Sequence, residues 1–211
     1  MNSNNIGPKV LGVLGSPRRG GICELILDEA LRGAKESGGL IEKIVLNEMK
    51  IAPCQECGGC DQTGRCIVQD DFQLIYQKLK NFNLFILASP LFFFGVSAQT
   101  KLLIDRCQCC WMGKYVLKQP VAEKSERRRG FFIGARGGKG KAGFHSAIKT
   151  VKAFFAVNNI IYDGEALFSQ TDNSKLREKM QKTIFKQAYQ KGQKLHPHLN
   201  PLPSRERKKI T

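Results

Sequence analysis

LFILASPLFFFGV, from Leu84 to Val96, opens with five apolar residues and no alternation. A strand wetted on one side alternates apolar and polar residues, whereas a strand buried on both sides does not. Leu84–Ala88 is therefore read as the middle of a sheet covered on both faces. KVLGVL (Lys9–Leu14) and GFFIG (Gly130–Gly134) are runs of the same kind. IEKIVL (Ile41–Leu46) reads as a further strand, and Ile160–Tyr162 begins a last one. Between them lie segments with helical spacing. Ile22–Glu36 places Ile22, Leu25, Ile26, Ala30 and Ala34 on one face and is closed by Ser37, Gly38 and Gly39. Asp70–Lys80 does the same with Phe72, Ile75, Tyr76 and Leu79. Ser97–Arg106, Gly143–Val157 and Ser174–Gln193 complete the set.

Strands alternating with helices predict an α/β fold with a doubly wound parallel sheet and helices on both faces. Five strands suit the flavodoxin-like order 2-1-3-4-5. One domain is expected over residues 1–195, with a cysteine-rich loop at 53–66. Residues 196–211 hold three prolines, much charge and no periodicity, and read as a basic, disordered tail. No apolar run is long enough to span a bilayer. MNSNNIGPKV lacks the basic-then-apolar pattern of a signal peptide. A cytoplasmic protein is expected, and with it thiols or metal ligands rather than a disulfide framework for the eight cysteines.

The net charge of +16 is unevenly placed. Lys114–Lys152 holds eleven Lys or Arg against two Glu, and Lys182–Thr211 eight against one; the remainder is balanced. The basic residues are not interleaved with the aromatics of RNA-binding sheets, and no zinc-finger or helix-turn-helix signal is present. Nucleic acid is not the expected partner. A phosphorylated cofactor or an acidic protein is.

GSPRRGG (Gly15–Gly21) sits where the first strand enters the first helix. Helix N-termini offer unpaired amides and a positive dipole end, and so receive phosphates. The loop is neither G-x-G-x-x-G nor a Walker motif, since Gly21 and Ile22 stand at the Lys and hydroxyl positions. That leaves a monophosphate cradle of Ser16, Arg18 and the amides from Gly20 to Glu24, or an ordinary turn.

Four segments in order, GSPRRGG, the cysteine loop, ASPLFFFGVSAQTKLLIDR (Ala88–Arg106) and IGARGGKGK (Ile133–Lys141), resemble the NADPH-dependent FMN reductase family, in particular its iron–sulfur flavoprotein branch. The likeness covers roughly residues 9 to 165. It implies that Ser16, Arg18, Gly20 and the amides of Ile22, Cys23 and Glu24 hold the FMN phosphate. Ile22 and Cys23 depart from the Asn and Thr or Ser usual in the family. The resemblance further implies that Pro90, Leu91, Phe92, Phe93, Phe94, Gly95 and Ser97 carry the ribityl chain and one face of the ring. Ala135, Arg136, Gly137 and Gly138 would border its other side. Pro90 is expected to turn the chain. The flavin would carry the chemistry, and no side chain is expected to act as a catalyst. His145, His196 and His198 read as surface residues.

PCQECGGCDQTGRC (Pro53–Cys66) has the spacing C-x2-C-x2-C-x5-C, formed by Cys54, Cys57, Cys60 and Cys66. Four thiolates with this spacing can wrap a [4Fe–4S] cluster, and Gly58, Gly59 and Gly64 supply unusual backbone angles. Zinc, which more often uses two separated C-x2-C knuckles, and an empty motif remain as alternatives. In the resembled branch, electrons pass between the cluster and the FMN of a neighbouring subunit, which implies a homodimer or homotetramer. The electron donor there would be a reduced ferredoxin, drawn to the basic stretch. The alternative function is an NAD(P)H-dependent FMN or quinone reductase without a cluster, with NADPH phosphates meeting Arg136 and Arg127–Arg129. A third is a non-catalytic redox sensor. Cys107, Cys109 and Cys110 read as small residues of a subunit interface, and Cys23 as a small buried one.

Overall fold

The computed structural model describes residues 7–125, 128–140, 142–172 and 174–194. Its sheet runs β2-β1-β3-β5-β6, all parallel, through β1 (Lys9–Leu14), β2 (Leu40–Val45), β3 (Leu84–Phe92), β5 (Arg129–Ala135) and β6 (Ile161–Phe168). This is the predicted 2-1-3-4-5 order. A two-residue strand, β4 (Gly95–Val96), pairs antiparallel with the end of β3 and stands off that path.

Alternate residues of each central strand feed opposite layers of core. Leu11, Val13, Phe85, Leu87 and Phe132 pack with α2 (Phe72–Asn81), α3 (Ala98–Arg106) and α5 (His145–Val157). Val10, Leu14, Ile86, Ala88, Phe131 and Ile133 pack with α1 (Ile22–Glu36) and α6 (Ser174–Lys194). Non-alternating strands and two covered faces are one fact seen twice.

Three local expectations are corrected. The chain does not turn at Pro90, which stays in β3 opposite Ala135. A proline's fixed φ suits an extended strand end where the ladder stops. The turn comes at Phe93 and Phe94, with φ of 49° and 66°, a two-residue hairpin of the kind that normally takes Asn-Gly. Residues after Arg106 continue as α4 (Gln108–Trp111) and a π-helical turn, Met112–Val116. Cys107, Cys109 and Cys110 are buried inside this chain, so they are not surface residues awaiting a partner. Arg128 is buried as well, and its guanidinium donates to the carbonyls of Leu79, Phe82 and Asn158. Arg129 faces Asp163. Neither is free for a nucleotide, and Arg127 lies outside the described residues. So do the tail at 196–211, His196 and His198; His145 is exposed. Among the described residues no helix is long and apolar enough to cross a membrane.

The joint that fixes both upper loops is made of buried hydroxyls. Ser97 Oγ donates to Gly15 O at 2.5 Å and accepts from the Thr100 amide at 3.3 Å and its hydroxyl at 2.9 Å. The Ser97 amide donates to Ser89 Oγ at 3.0 Å. Ser89, Ser97 and Thr100 have no exposed surface. Ser97→Ala removes a helix cap and orphans a buried carbonyl, so a loss of about 2–3 kcal/mol is expected. Urea unfolding followed by circular dichroism measures it, and a loss below about 0.5 kcal/mol would exclude the joint as a structural hinge.

Candidate functional site

Two cavities gather most of the predicted site residues. The first, of about 860 Å³, opens at the carboxyl ends of β1, β3 and β5. Its wall begins where β1 enters α1. Gly15 allows the strand to abut α3, because a Cβ there would stand 1.8 Å from Thr100 Oγ1. Ser16 then accepts from the Arg18 amide at 3.2 Å, turning the loop. Gly21 precedes α1 with extended backbone and no side chain caps the helix. The first-turn amides of α1 thus have no partner within the helix.

Ser16, Arg18, Gly20, Ile22 and Cys23 line this cavity, as do Pro90, Leu91, Phe92, Ala135, Arg136 and Gly137. The structure brings together residues from all three predicted loops. Glu24 faces elsewhere. Its carboxylate accepts from the Gly20 amide at 2.6 Å and from Lys43 at 2.8 Å, and pairs with Arg19 at 2.9 Å. The Gly20 amide is consequently not free for a ligand. Ser97 lies behind the loop in the hydroxyl joint. Phe93, Phe94, Gly95 and Gly138 stand outside the lining. Phe93 is fully exposed, and Phe94 lies under the Arg136 guanidinium, 5.4 Å from its ring centre.

Sequence reasoning missed Thr171 and Asp172, just after β6, and Gln181 on α6, which also line the cavity. The Arg136 amide donates to Phe168 O and the Thr171 amide to Arg136 O, which docks that segment on the third loop. The Asp172 carboxylate lies against Gly137, where a Cβ would fall 1.8 Å from Oδ2. Asp172 carries no motif of its own, so only the fold reveals it. Cys23 is buried at the cavity wall and burial pushes its thiol up to about 12, leaving it a neutral packing group.

The second cavity, of about 380 Å³, is lined by Cys54, Cys57, Cys60 and Cys66 together. Cys54 and Cys57 are exposed, Cys60 and Cys66 half-buried. Positive φ at Glu56, Gly58 and Gly64 wraps the loop. Gly64 packs on Gly113 of the π-helical turn, a Cβ there falling 2.8 Å from Gly113 Cα. Cys109 and the end residue of α3, Arg106, share the cavity wall. Burial, and then the neighbouring Cys109 thiol, raise the Cys60 thiol above its usual range. Among the described residues no three His, Cys, Asp or Glu side chains converge as a metal site.

The sequence profile described as NADPH-dependent FMN reductase matches residues 8–173. The chain belongs to that family. Among its relatives, an iron–sulfur flavoprotein of Methanocaldococcus jannaschii is 34% identical over 157 residues, covering 74% of this chain and 76% of the relative. One from Methanosarcina thermophila is 29% identical over the same length, 74% and 78%. The fold matches an FMN-dependent NADH-azoreductase from Bacillus anthracis at TM-score 0.70 and 18% identity, over 90% and 99% of the two chains. It matches an NAD(P)H:quinone oxidoreductase from Methanothermobacter marburgensis at 0.69 and 14%, over 90% and 100%. This member of the NADPH-dependent FMN reductase family is thus a flavin-dependent oxidoreductase with the flavodoxin-like fold, and its cofactor is FMN. It sits with the iron–sulfur flavoproteins of that family.

Glu24 gives the first loop a pH signature. Burial raises its carboxyl, but the Lys43 bond, the Gly20 amide and the Lys43 and Arg19 charges outweigh that and hold it below the ordinary 4.5. A carboxylate lowered in the folded state contributes stability above its unfolded value, and that contribution fades as pH falls through the folded value. Glu24→Gln is expected to be about 1–3 kcal/mol less stable than the parent at pH 7, with the difference shrinking below pH 4.5. Urea midpoints at pH 7 and about pH 3 test this; a difference unchanged with pH would sink it.

Proposed function

We propose that this protein passes electrons between FMN in the first cavity and a [4Fe–4S] cluster held by Cys54, Cys57, Cys60 and Cys66 in the second. The observation that carries this reading is that all four loop cysteines open on one cavity whose wall is completed by a buried guanidinium. That donor set suits a thiolate-rich, negatively charged group, and relatives matching three-quarters of the chain bear the name iron–sulfur flavoprotein. When bound, FMN supplies two-electron and one-electron chemistry and the cluster one-electron chemistry.

The chain's own residues bind and orient. The uncapped start of α1 presents the amides of Ile22, Cys23 and Glu24 to the FMN phosphate, with Ser16 and Arg18 beside them. Pro90, Leu91 and Phe92 meet one side of the ring and Ala135, Arg136 and Gly137 the other. Phe93, Phe94, Gly95 and Gly138 form the rim. The first cavity's volume lies in the range of cofactor sites. α3, whose cap Ser97 is bonded to the first loop and whose last residue lines the second cavity, is nine residues or about 14 Å long. In this reading the working form is a homodimer or homotetramer, in which the exposed Phe92, Phe93, Phe94, Trp111 and Tyr115 are covered by another copy. Electrons arrive from NADPH, as the family's name has it, or from an acidic ferredoxin-like donor steered by Lys118, Lys124, Lys149 and Lys152, all exposed.

Anaerobic purification with assay of iron, sulfide, zinc and FMN tests the pair of cofactors. About four iron and four sulfide per chain are expected alongside one FMN, and FMN without iron overturns the cluster. Cys57→Ser is expected to lose the iron and its visible absorbance while keeping FMN. Arg18→Ala, which removes a charge-assisted bond worth about 1.5–3 kcal/mol, should weaken FMN binding about ten- to a hundredfold by flavin fluorescence titration. Stopped-flow mixing with NADPH, with and without reduced ferredoxin, identifies the donor.

A further inference from the structure

Arg106 is a charged side chain with 1% exposure at the place where α3 meets the cysteine loop. Its Nη1 donates to Ala52 O at 2.9 Å and to Asp70 Oδ2 at 2.5 Å. Its Nη2 donates to Cys66 Sγ at 3.2 Å and to Val68 O at 3.4 Å. The guanidinium lies 4.7 Å from the ring centre of Phe72. Among the described residues the buried Nε has no hydrogen-bond partner, and the side chain lines the thiol cavity. Asp70 in turn accepts from the amides of Ala52 at 2.9 Å and Phe72 at 3.0 Å. One ion pair therefore grips the chain on both sides of the cysteine loop, and one of its hydrogen bonds ends on a cysteine sulfur.

A simple clasp explains the carbonyl contacts but not a cation buried against a thiol. A hydrogen bond from a cation is roughly twice as strong as one between neutral groups. The reduction potential of a thiolate-held cluster responds to net charge, to hydrogen bonds on its sulfurs and to exposure. Buried charges act there with little screening.

We propose that Arg106 is a positioning residue for the cysteine site whose guanidinium, through its bond to Cys66 and its pairing with Asp70, sets how readily a cluster held there takes up an electron. This rests on the cluster reading above. The two partners act with opposite sign. Loss of Arg106 leaves the Asp70 charge facing the site and makes reduction harder. Loss of the Asp70 charge leaves the guanidinium alone and makes it easier.

The test is an anaerobic dye-mediated titration with dithionite, followed by the cluster's electron paramagnetic resonance signal, on the loaded full-length protein. Arg106→Gln is expected to lower the midpoint, and Asp70→Asn to raise it, each by at least a tenfold change in the reduced-to-oxidised ratio, which is 59 mV for one electron. Arg106→Lys, which keeps the charge without the fork, should recover more than half of the shift. A purely structural clasp predicts that both neutral variants unfold more easily and move the midpoint in the same direction or not at all; that result, with full iron content, overturns the proposal while leaving the cluster in place. If Arg106→Gln does not retain iron, Asp70→Asn alone decides, and an unchanged or lowered midpoint overturns the proposal. Wild-type protein with FMN but no iron overturns the cluster reading, and this proposal with it.

Discussion

The hydrogen bond from Ser97 Oγ to Gly15 O joins residues 82 positions apart, and the arrangement of both cavities follows from it. It ties the end of β1 to the start of α3, while the Ser97 amide ties the same point to Ser89 on β3. The loops after β1 and β3 cannot move apart without breaking bonds between groups hidden from water, where an unmade bond costs more than a made one gains. From this joint α3 runs as a strut to Arg106, whose guanidinium is bonded to Ala52, Cys66, Val68 and Asp70. One short helix carries buried polar joints at both ends. The loops after β1 and β3 and the cysteine loop are therefore tied to each other by polar contacts as well as by the apolar cluster that holds Leu91, Val96 and Leu103 with Cys60 and Cys66 packed against it.

The hairpin beyond Pro90 is the opposite case. Two bulky residues hold positive φ, each costing on the order of 1–3 kcal/mol, and Phe93 is wholly exposed. Local preference and burial both disfavour this arrangement, so its cause lies elsewhere. The short antiparallel pairing of Leu91 with Val96 and Phe92 with Gly95 forces the tight turn. Phe94 is then held beneath Arg136, which itself lines the first cavity. A strained aromatic tip at the mouth of a cofactor site fits the general tendency of strain to collect where function needs a fixed geometry.

Much of this was legible in the sequence, and the reasons differ by element. Leu84–Ala88 announced a doubly covered strand because burial on both faces erases alternation, and the strand order followed from the βα repeat. Residues of the three strand-to-helix loops were expected to come together and do so at the first cavity, since those loops have fixed places in this topology. Thr171 and Asp172 escaped because their position depends on how the segment after β6 docks on the third loop, and Gln181 because its position depends on how α6 packs on α1. The helix and π-helical turn from Gln108 to Val116 escaped for a similar reason. QCCWMGKYV has no clear period, and the segment is held by the contact of Gly113 with Gly64. Charge misled in one place: Arg128 belongs to a basic run, yet it is buried as a cap on the carbonyls at the end of α2.

That last contrast bears on how a strongly basic protein can use its charge. A net charge of +16 suggests a surface that attracts anions, and exposed lysines act in that way through screened fields. Two arginines, Arg106 and Arg128, are instead taken out of water almost completely. Desolvation makes each of them expensive unless every donor is used. Arg128 is matched by three carbonyls, which is a structural solution needing no ligand. Arg106 is matched by carbonyls, one carboxylate and one thiol, and among the described residues Nε has no partner in either arginine. What separates the two guanidinium groups is their partners: carbonyls alone for Arg128, which closes the fold, and a carboxylate and a cysteine sulfur besides carbonyls for Arg106, at the wall of the second cavity.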